Sequence, residues 1–157
     1  MRVLTVCSGN ICRSPTAEAA LKEALAAEGL ADRVEVDSAG TGPWHVGEPP
    51  DRRMRKAAAD AGLHLDGRGR QLAPGDVEDY DLVLTMDRSN QRDVLRLAGD
   101  DARDRVRMFR EFDPEADPGD DEVPDPYYDG RETFDEVVVI ARRTAREVVE
   151  QLRGQLA

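Results

Sequence analysis

The chain has almost no cysteine: two residues in 157, Cys7 and Cys12, both in one short stretch. That scarcity excludes a disulfide-stapled scaffold, and neither cysteine stands in a Cys-His cluster with zinc-finger spacing, so no metal is expected. Long apolar runs are missing as well. None approaches the length of a membrane span, and the opening MRVLTV lacks the apolar length and small-residue cleavage site of a signal peptide. The expectation is a soluble, cytoplasmic protein. An excess of positive charge is also absent. Against 22 Lys and Arg stand 33 Asp and Glu, a formal net charge of −11, and a field of that sign repels nucleic acid and anionic membrane as general partners. Any anion the protein binds must therefore be held by a local feature. There is no internal repeat, no low-complexity tail, and no GxxxxGK[ST] string of a nucleotide hydrolase.

What is present reads as one domain, residues 1–157, in which strand and helix alternate. Arg2 to Cys7 is a strand. Ser14-Pro15 reads as a helix start, with a hydroxyl at the N-cap and proline at the first helical position, and Ala17, Ala20, Leu21, Ala24 and Leu25 follow at helical spacing. VEVDSAG from Val34 alternates like a second strand. Met54, Ala57, Ala58 and Ala61 repeat the helical pattern until Gly62 stops it. YDLVLTM, Tyr80 to Met86, is the kind of apolar run found in strands covered on both faces. A helix around Val94, Leu95 and Ala98, a short strand RVRMF at Arg105 to Phe109, and a long final helix complete the order. That last helix carries Phe134, Val137, Val138, Ala141, Ala145, Val148 and Leu152 on one stripe. The pattern predicts an α/β fold: a three-layer domain with a central four-stranded parallel sheet and helices on both faces. Such sheets bind ligands at the carboxyl ends of their strands, which is where Cys7 lies. The one long irregular stretch, FDPEADPGDDEVPDPYYDG from Phe112 to Gly130, exceeds ordinary connection length, as functional loops often do.

The loop VCSGNICRSP is the candidate site. A segment that leaves a strand and opens a helix can turn successive N–H groups toward one point, where the helix N-terminus adds roughly half a positive charge. The amides of Ser8, Gly9, Asn10, Ile11, Cys12 and Arg13 are placed to converge in this way, with Gly9 giving the backbone room to bend. Arg13 supplies a planar fork matched to two phosphate oxygens. The same field favours the thiolate of Cys7, the form that attacks, and Ser14 is placed to donate a hydrogen bond to it. Loop and thiol together imply attack on phosphorus, a covalent phosphocysteine, and hydrolysis by water.

Cys7-SerGlyAsnIleCys-Arg13-Ser14 after the first strand resembles the signature of the low-molecular-weight protein tyrosine phosphatases. SAGTGPWHVGEPPD after the second strand, MDRSN after the third and DPYYDG in the late loop extend the likeness over most of the chain. The resemblance implies a sheet of order 2-1-3-4, with Cys7 as nucleophile, Arg13 as phosphate clamp, Asn10 as a loop-ordering residue and Ser14 as partner of the thiolate. It makes Asp125 the general acid, a group the chemistry also requires, because a phenolate leaves poorly until it is protonated. Trp44, Tyr127 and Tyr128 match aromatic cleft walls suited to a phenyl ring. The implied partner is a phosphotyrosine-containing protein or peptide, handled by a monomer without cofactor. The likeness fails at GRGRQL, Gly67 to Leu72, which lacks a histidine expected before the basic cluster.

Other features read more plainly. A Cys7–Cys12 disulfide is an expected reversible protection of the nucleophile. Asp87 is expected to start a helix or bond to the cradle, and His45 and His64 to be surface or satisfied histidines. Arg52, Arg53 and Arg55 read as a solvated helix face, and Asp117 to Glu122 as solvated loop. Two rival functions are weighed. A thiol-relay arsenate reductase shares this kind of loop but needs further cysteines, which the chain lacks, and a silent phosphopeptide-binding module has no reason to keep nucleophile, clamp and acid together.

Overall fold

The structure, a computed structural model, describes residues 1–156. Four parallel strands, β1 (Arg2–Cys7), β2 (Glu35–Gly40), β3 (Leu82–Thr85) and β4 (Val106–Met108), lie in the order β2-β1-β3-β4. β1 is central, and its apolar residues serve both faces: Val3 and Cys7 join one core cluster, Leu4 and Val6 the other. This is why RVLTVC is nearly unbroken in hydrophobicity rather than alternating. On the first face pack α1 (Arg13–Ala27), α2 (Arg52–Asp60) and α5 (Arg131–Leu156), which contribute Leu21, Leu25, Met54, Phe134, Val137 and Val148 to the core. Val77 of the four-residue α3 (Asp76–Asp79) and Val94 of α4 (Arg88–Leu97) fill the second, with Tyr80 and Val106. The expected architecture and strand order are those observed.

β1 has the bounds expected of it, while β2, β3 and β4 are shorter than the runs that announced them, because their ends do other work. Asp81 leaves the sheet to accept the Arg2 N–H at 2.7 Å, and Met86 lies past β3, where its carbonyl accepts the Val123 N–H at 2.8 Å. α2 starts on Asp51, whose carboxylate accepts the N–H groups of Arg53 and Met54. It ends where Gly62, at φ 82°, lets its own N–H reach Ala59 O and that of Leu63 reach Ala58 O. Two 3-10 turns, 100–105 and 109–112, flank β4 and were not foreseen.

The register sets the site. Cys7 pairs with Gly40, Val6 with Thr85, and Thr85 with Met108, so all four strands finish at one edge. The loops leaving that edge carry SGNIC, TGPWH, MDRSN and the long acidic segment. Sequence stretches more than a hundred residues apart meet there, because parallel strands all point the same way.

Candidate active site

At the bottom of the cleft lies Cys7, 3% exposed, with two groups of Ser14 against its sulfur. Ser14 Oγ stands 3.0 Å away and the Ser14 N–H is directed at the sulfur from 3.4 Å. The second contact corrects one expectation. Ser14 does not cap α1: the helix begins at Arg13 with Cys12 at the cap position and no side-chain bond there. Starting the helix earlier points an N-terminal N–H at the sulfur and frees the Ser14 hydroxyl for it, so the residue that looked like a cap serves the thiol.

Between strand and helix, none of the N–H groups of Ser8, Gly9, Asn10, Ile11 and Cys12 has a hydrogen-bond acceptor among the described residues. Five consecutive unpartnered amides beside a helix N-terminus form an anion cradle, since buried backbone donors are otherwise almost always paired. The loop is held in this strained shape by Asn10, whose φ of 59° lies in the left-handed region. Its side-chain amide donates to Ser14 Oγ at 2.8 Å and Ser38 Oγ at 2.9 Å, and its Oδ1 accepts the Arg70 N–H at 3.0 Å. The GRGRQL segment thus supports the cradle through a backbone N–H although the expected histidine is missing. Gly40 lets β2 approach closely: a methyl group there would sit 2.8 Å from the Ser8 carbonyl and 3.1 Å from the Asn10 nitrogen. Both are backbone atoms, so any side chain at 40 would displace the loop.

Arg13, 3% exposed, is anchored through one nitrogen: Nη1 donates to Asp87 Oδ2 at 2.6 Å and to the Val123 carbonyl at 3.2 Å. That leaves Nε and Nη2 for a ligand. Burial opposes its charge, but the Cys7 sulfur, Asp87 and Asp125 more than offset the cost, so its pKa stands above the ordinary arginine value. Asp87 performs both expected tasks, since its other oxygen accepts the Asn90 N–H at 2.7 Å and starts α4. Asn90 in turn donates to Ser8 Oγ at 3.1 Å and is fully buried. Asp125 is half exposed, with Oδ1 accepting the Tyr127 N–H at 3.1 Å and Oδ2 lying 3.7 Å from Arg13 Nη2.

The cleft encloses about 310 Å³ and is lined by Cys7, Ser8, Gly9, Ile11, Cys12, Arg13, Asp125 and an aromatic rim. Trp44 folds over Gly42, where a methyl group would be 1.9 Å from the ring, and remains 68% exposed. Tyr127 and Tyr128 meet edge to face at 5.0 Å. Asn10 and Ser14 stand behind the lining rather than in it. Both cysteines are free thiols, and burial, then Asp51 and the Cys7 sulfur, push the Cys12 thiol well above its ordinary pKa. Of the two, Cys7 is the one with donors around its sulfur.

Two residues do more than the sequence suggested. His45 is satisfied by Glu48 at Nδ1, as expected, and its ring also lines the cleft against Gly9. Arg53 lies on an exposed helix face, as expected, but its guanidinium also lies 5.2 Å from the Tyr127 ring centre and donates to the Tyr127 carbonyl at 2.9 Å, bracing the aromatic wall. His64 stays on the surface, as expected.

A sulfur held by donors at a helix N-terminus, under a ring of free amides and a guanidinium fork, with one carboxyl beside it, defines an enzyme that takes phosphoryl groups onto sulfur. Comparison with known proteins narrows the class. The family described as Low molecular weight phosphotyrosine protein phosphatase matches residues 2–157. A low molecular weight protein-tyrosine-phosphatase of Streptomyces coelicolor is 42% identical over 157 residues, covering 99% of this chain and 95% of that protein. Among solved structures, a protein tyrosine phosphatase from Entamoeba histolytica with Hepes in its active site superposes with a TM-score of 0.95 at 32% identity, over 100% of this chain and 99% of that one. YfkJ from Bacillus subtilis does so with a TM-score of 0.90, also at 32% identity, over 99% and 96%. The chain belongs to the low molecular weight protein-tyrosine-phosphatase family and is a phosphatase acting on phosphoproteins.

Proposed function

We propose that residues 1–157 act as one phosphatase domain that hydrolyses phosphotyrosine through a phosphocysteine at Cys7. The carrying observation is the Cys7 sulfur, which faces the Ser14 hydroxyl and N–H at the foot of five unpartnered loop amides. The substrate phosphoryl group sits in the cradle, with two of its oxygens on the free nitrogens of Arg13. Cys7 Sγ attacks phosphorus in line with the ester oxygen. The P–O bond breaks, its electron pair passes to the phenolic oxygen, and Asp125 supplies the proton. Water then attacks the phosphocysteine and gives a proton to the Asp125 carboxylate. The S–P bond breaks, its pair returns to Sγ, and inorganic phosphate departs. The cradle and Arg13 hold the three equatorial oxygens throughout, so charge developing in the transition state meets donors already in place.

Depth selects the substrate. With Cys7 almost fully buried below an aromatic rim, a phosphate reaches the sulfur only on a stem as long as a phenyl ring, which Ile11, Trp44 and Tyr127 can flank. Two peptides of one sequence, carrying phosphotyrosine or phosphoserine, test this. Turnover of the first by at least about a hundredfold over the second is expected, the scale on which mispositioned reacting groups lose rate. Comparable rates would defeat the reading. The same reading takes the working unit as a monomer in the reducing cytoplasm, where free thiols such as Cys7 and Cys12 persist.

A further inference from the structure

Asp125 must be held where it can reach the leaving oxygen, yet its own carboxylate makes few contacts. On the upstream side the nearest strong fixings of its loop lie two and three residues before it. Val123 donates its N–H to Met86 O at 2.8 Å and accepts from Arg13, while Glu122 accepts the Arg88 N–H at 2.8 Å through its side chain. Behind them sits Arg110, in the 3-10 turn after β4 and 3% exposed. Its Nη1 donates to the Glu122 carbonyl at 2.9 Å and to Asp120 Oδ1 at 2.6 Å, and its Nε donates to Asp113 Oδ2 at 2.8 Å. Asp113 is gripped from α5 by Arg143, with Nε on Oδ1 at 2.8 Å and Nη2 on Oδ2 at 2.9 Å. Burial would raise the Asp113 carboxyl, but Arg143, the Glu115 N–H and Arg110 hold its pKa far below the usual carboxylate range. The chain of contacts therefore runs from the rigid last helix, through Asp113 and Arg110, into the backbone at Glu122.

From Glu122 the path to the acid is Val123-Pro124-Asp125-Pro126. Two prolines fix their φ angles near −65° and restrict the residues before them, so this short segment transmits the position of its root to its tip. We infer that Arg110 is a positioning residue for the general acid: its Nη1, shared between Glu122 and Asp120, sets where Asp125 stands over the cleft. The inference rests on the reading of Asp125 as the acid. A buried arginine that only stabilised the fold would have no reason to spread one nitrogen over two points of the acid loop while its Asp113 partner is already paired with Arg143.

The test uses Arg110→Met, which keeps the apolar stem and leaves Asp113 with Arg143, and Arg110→Lys, which can restore one of the bonds. In case Arg110→Met folds poorly, Asp120→Ala cuts the strut at its exposed end. Each is assayed on aryl phosphates whose phenols span weak to strong acids, alone and with Asp125→Ala. Arg110→Met should lose about tenfold in kcat on phenyl phosphate and little on esters of strongly acidic phenols, the signature of a displaced acid. Arg110→Lys should recover part of that loss, and Asp120→Ala should show a smaller loss with the same selectivity. In the Asp125→Ala background the selective loss should vanish, since there is no acid left to place. Equal losses for all leaving groups, or losses that persist undiminished without Asp125, would overturn the strut. Should Asp125→Ala itself show no leaving-group selectivity, the acid assignment falls and takes this inference with it.

Discussion

Cys7→Ser should abolish turnover of aryl phosphates, by at least about 10⁴-fold in kcat, while inorganic phosphate still binds. The reason lies in what surrounds the sulfur. Its neighbours are the Ser14 hydroxyl and the Ser14 N–H, both able to donate to an anion. No histidine or carboxylate hydrogen-bonds to it among the described residues. The site is therefore suited to a nucleophile that arrives already charged, and it has no base to draw the proton from a hydroxyl. A thiol gives up its proton far more readily than a serine hydroxyl, and sulfur is the better nucleophile. The cradle amides and Arg13 are untouched by the change, so phosphate affinity measured by calorimetry should stay within about tenfold of wild type, or ~1.4 kcal/mol. Turnover surviving within tenfold would mean that sulfur is not the attacking atom. Loss of binding would mean that the sulfur, rather than the loop, holds the anion.

Asp125→Ala should be the second-largest lesion, and a selective one. On phenyl phosphate kcat should fall by about 10² to 10⁴, the range a positioned acid supplies, whereas esters of strongly acidic phenols should lose far less because their phenolates depart without a proton. Asp125 is the one carboxylate among the lining residues, since Asp87 is committed to Arg13 and to the start of α4. It stands 3.7 Å from the guanidinium nitrogen that faces the substrate, close to where the bridging oxygen must lie. The slope of log kcat against leaving-group pKa reads this directly: nearly flat in wild type and steep in the variant. Parallel slopes would remove Asp125 from the role. Uniform loss across the series would instead mean that the change disturbed Arg13 or the cradle.

Much of this was legible in the chain itself because its signals are local. A strand, a small-residue loop and a helix start within fifteen residues specify cradle and thiol together, and a parallel sheet puts that junction at its ligand-binding edge. What escaped was carried by tertiary contacts. Ser14-Pro15 has the composition of a helix start, yet the helix begins at Arg13 because the Ser14 hydroxyl and N–H are both occupied at the sulfur. His45 has no local mark of function. Only the fold lays its ring against Gly9 and gives it a place in the cleft. Arg53 sits in an arginine-rich stretch that looks solvated, and its stacking on Tyr127 depends on a loop seventy-four positions away. Asp87 was readable as a helix start or a bond to the cradle, and only the fold, with β3 beside β1, lets it do both. Asn90, one turn into the same helix, was missed, although its place three residues after Asp87 puts it on the face that meets Ser8.

The central claim is that the phosphoryl group passes through the Cys7 sulfur. Acid quenching of the wild-type enzyme within the first turnovers of a phosphotyrosine peptide, followed by mass mapping, examines that step without any substitution. The account predicts a peptide carrying one added phosphoryl group on Cys7, chased away when the substrate is exhausted. Direct release of phosphate with every residue of the loop unmodified at all quench times would contradict it.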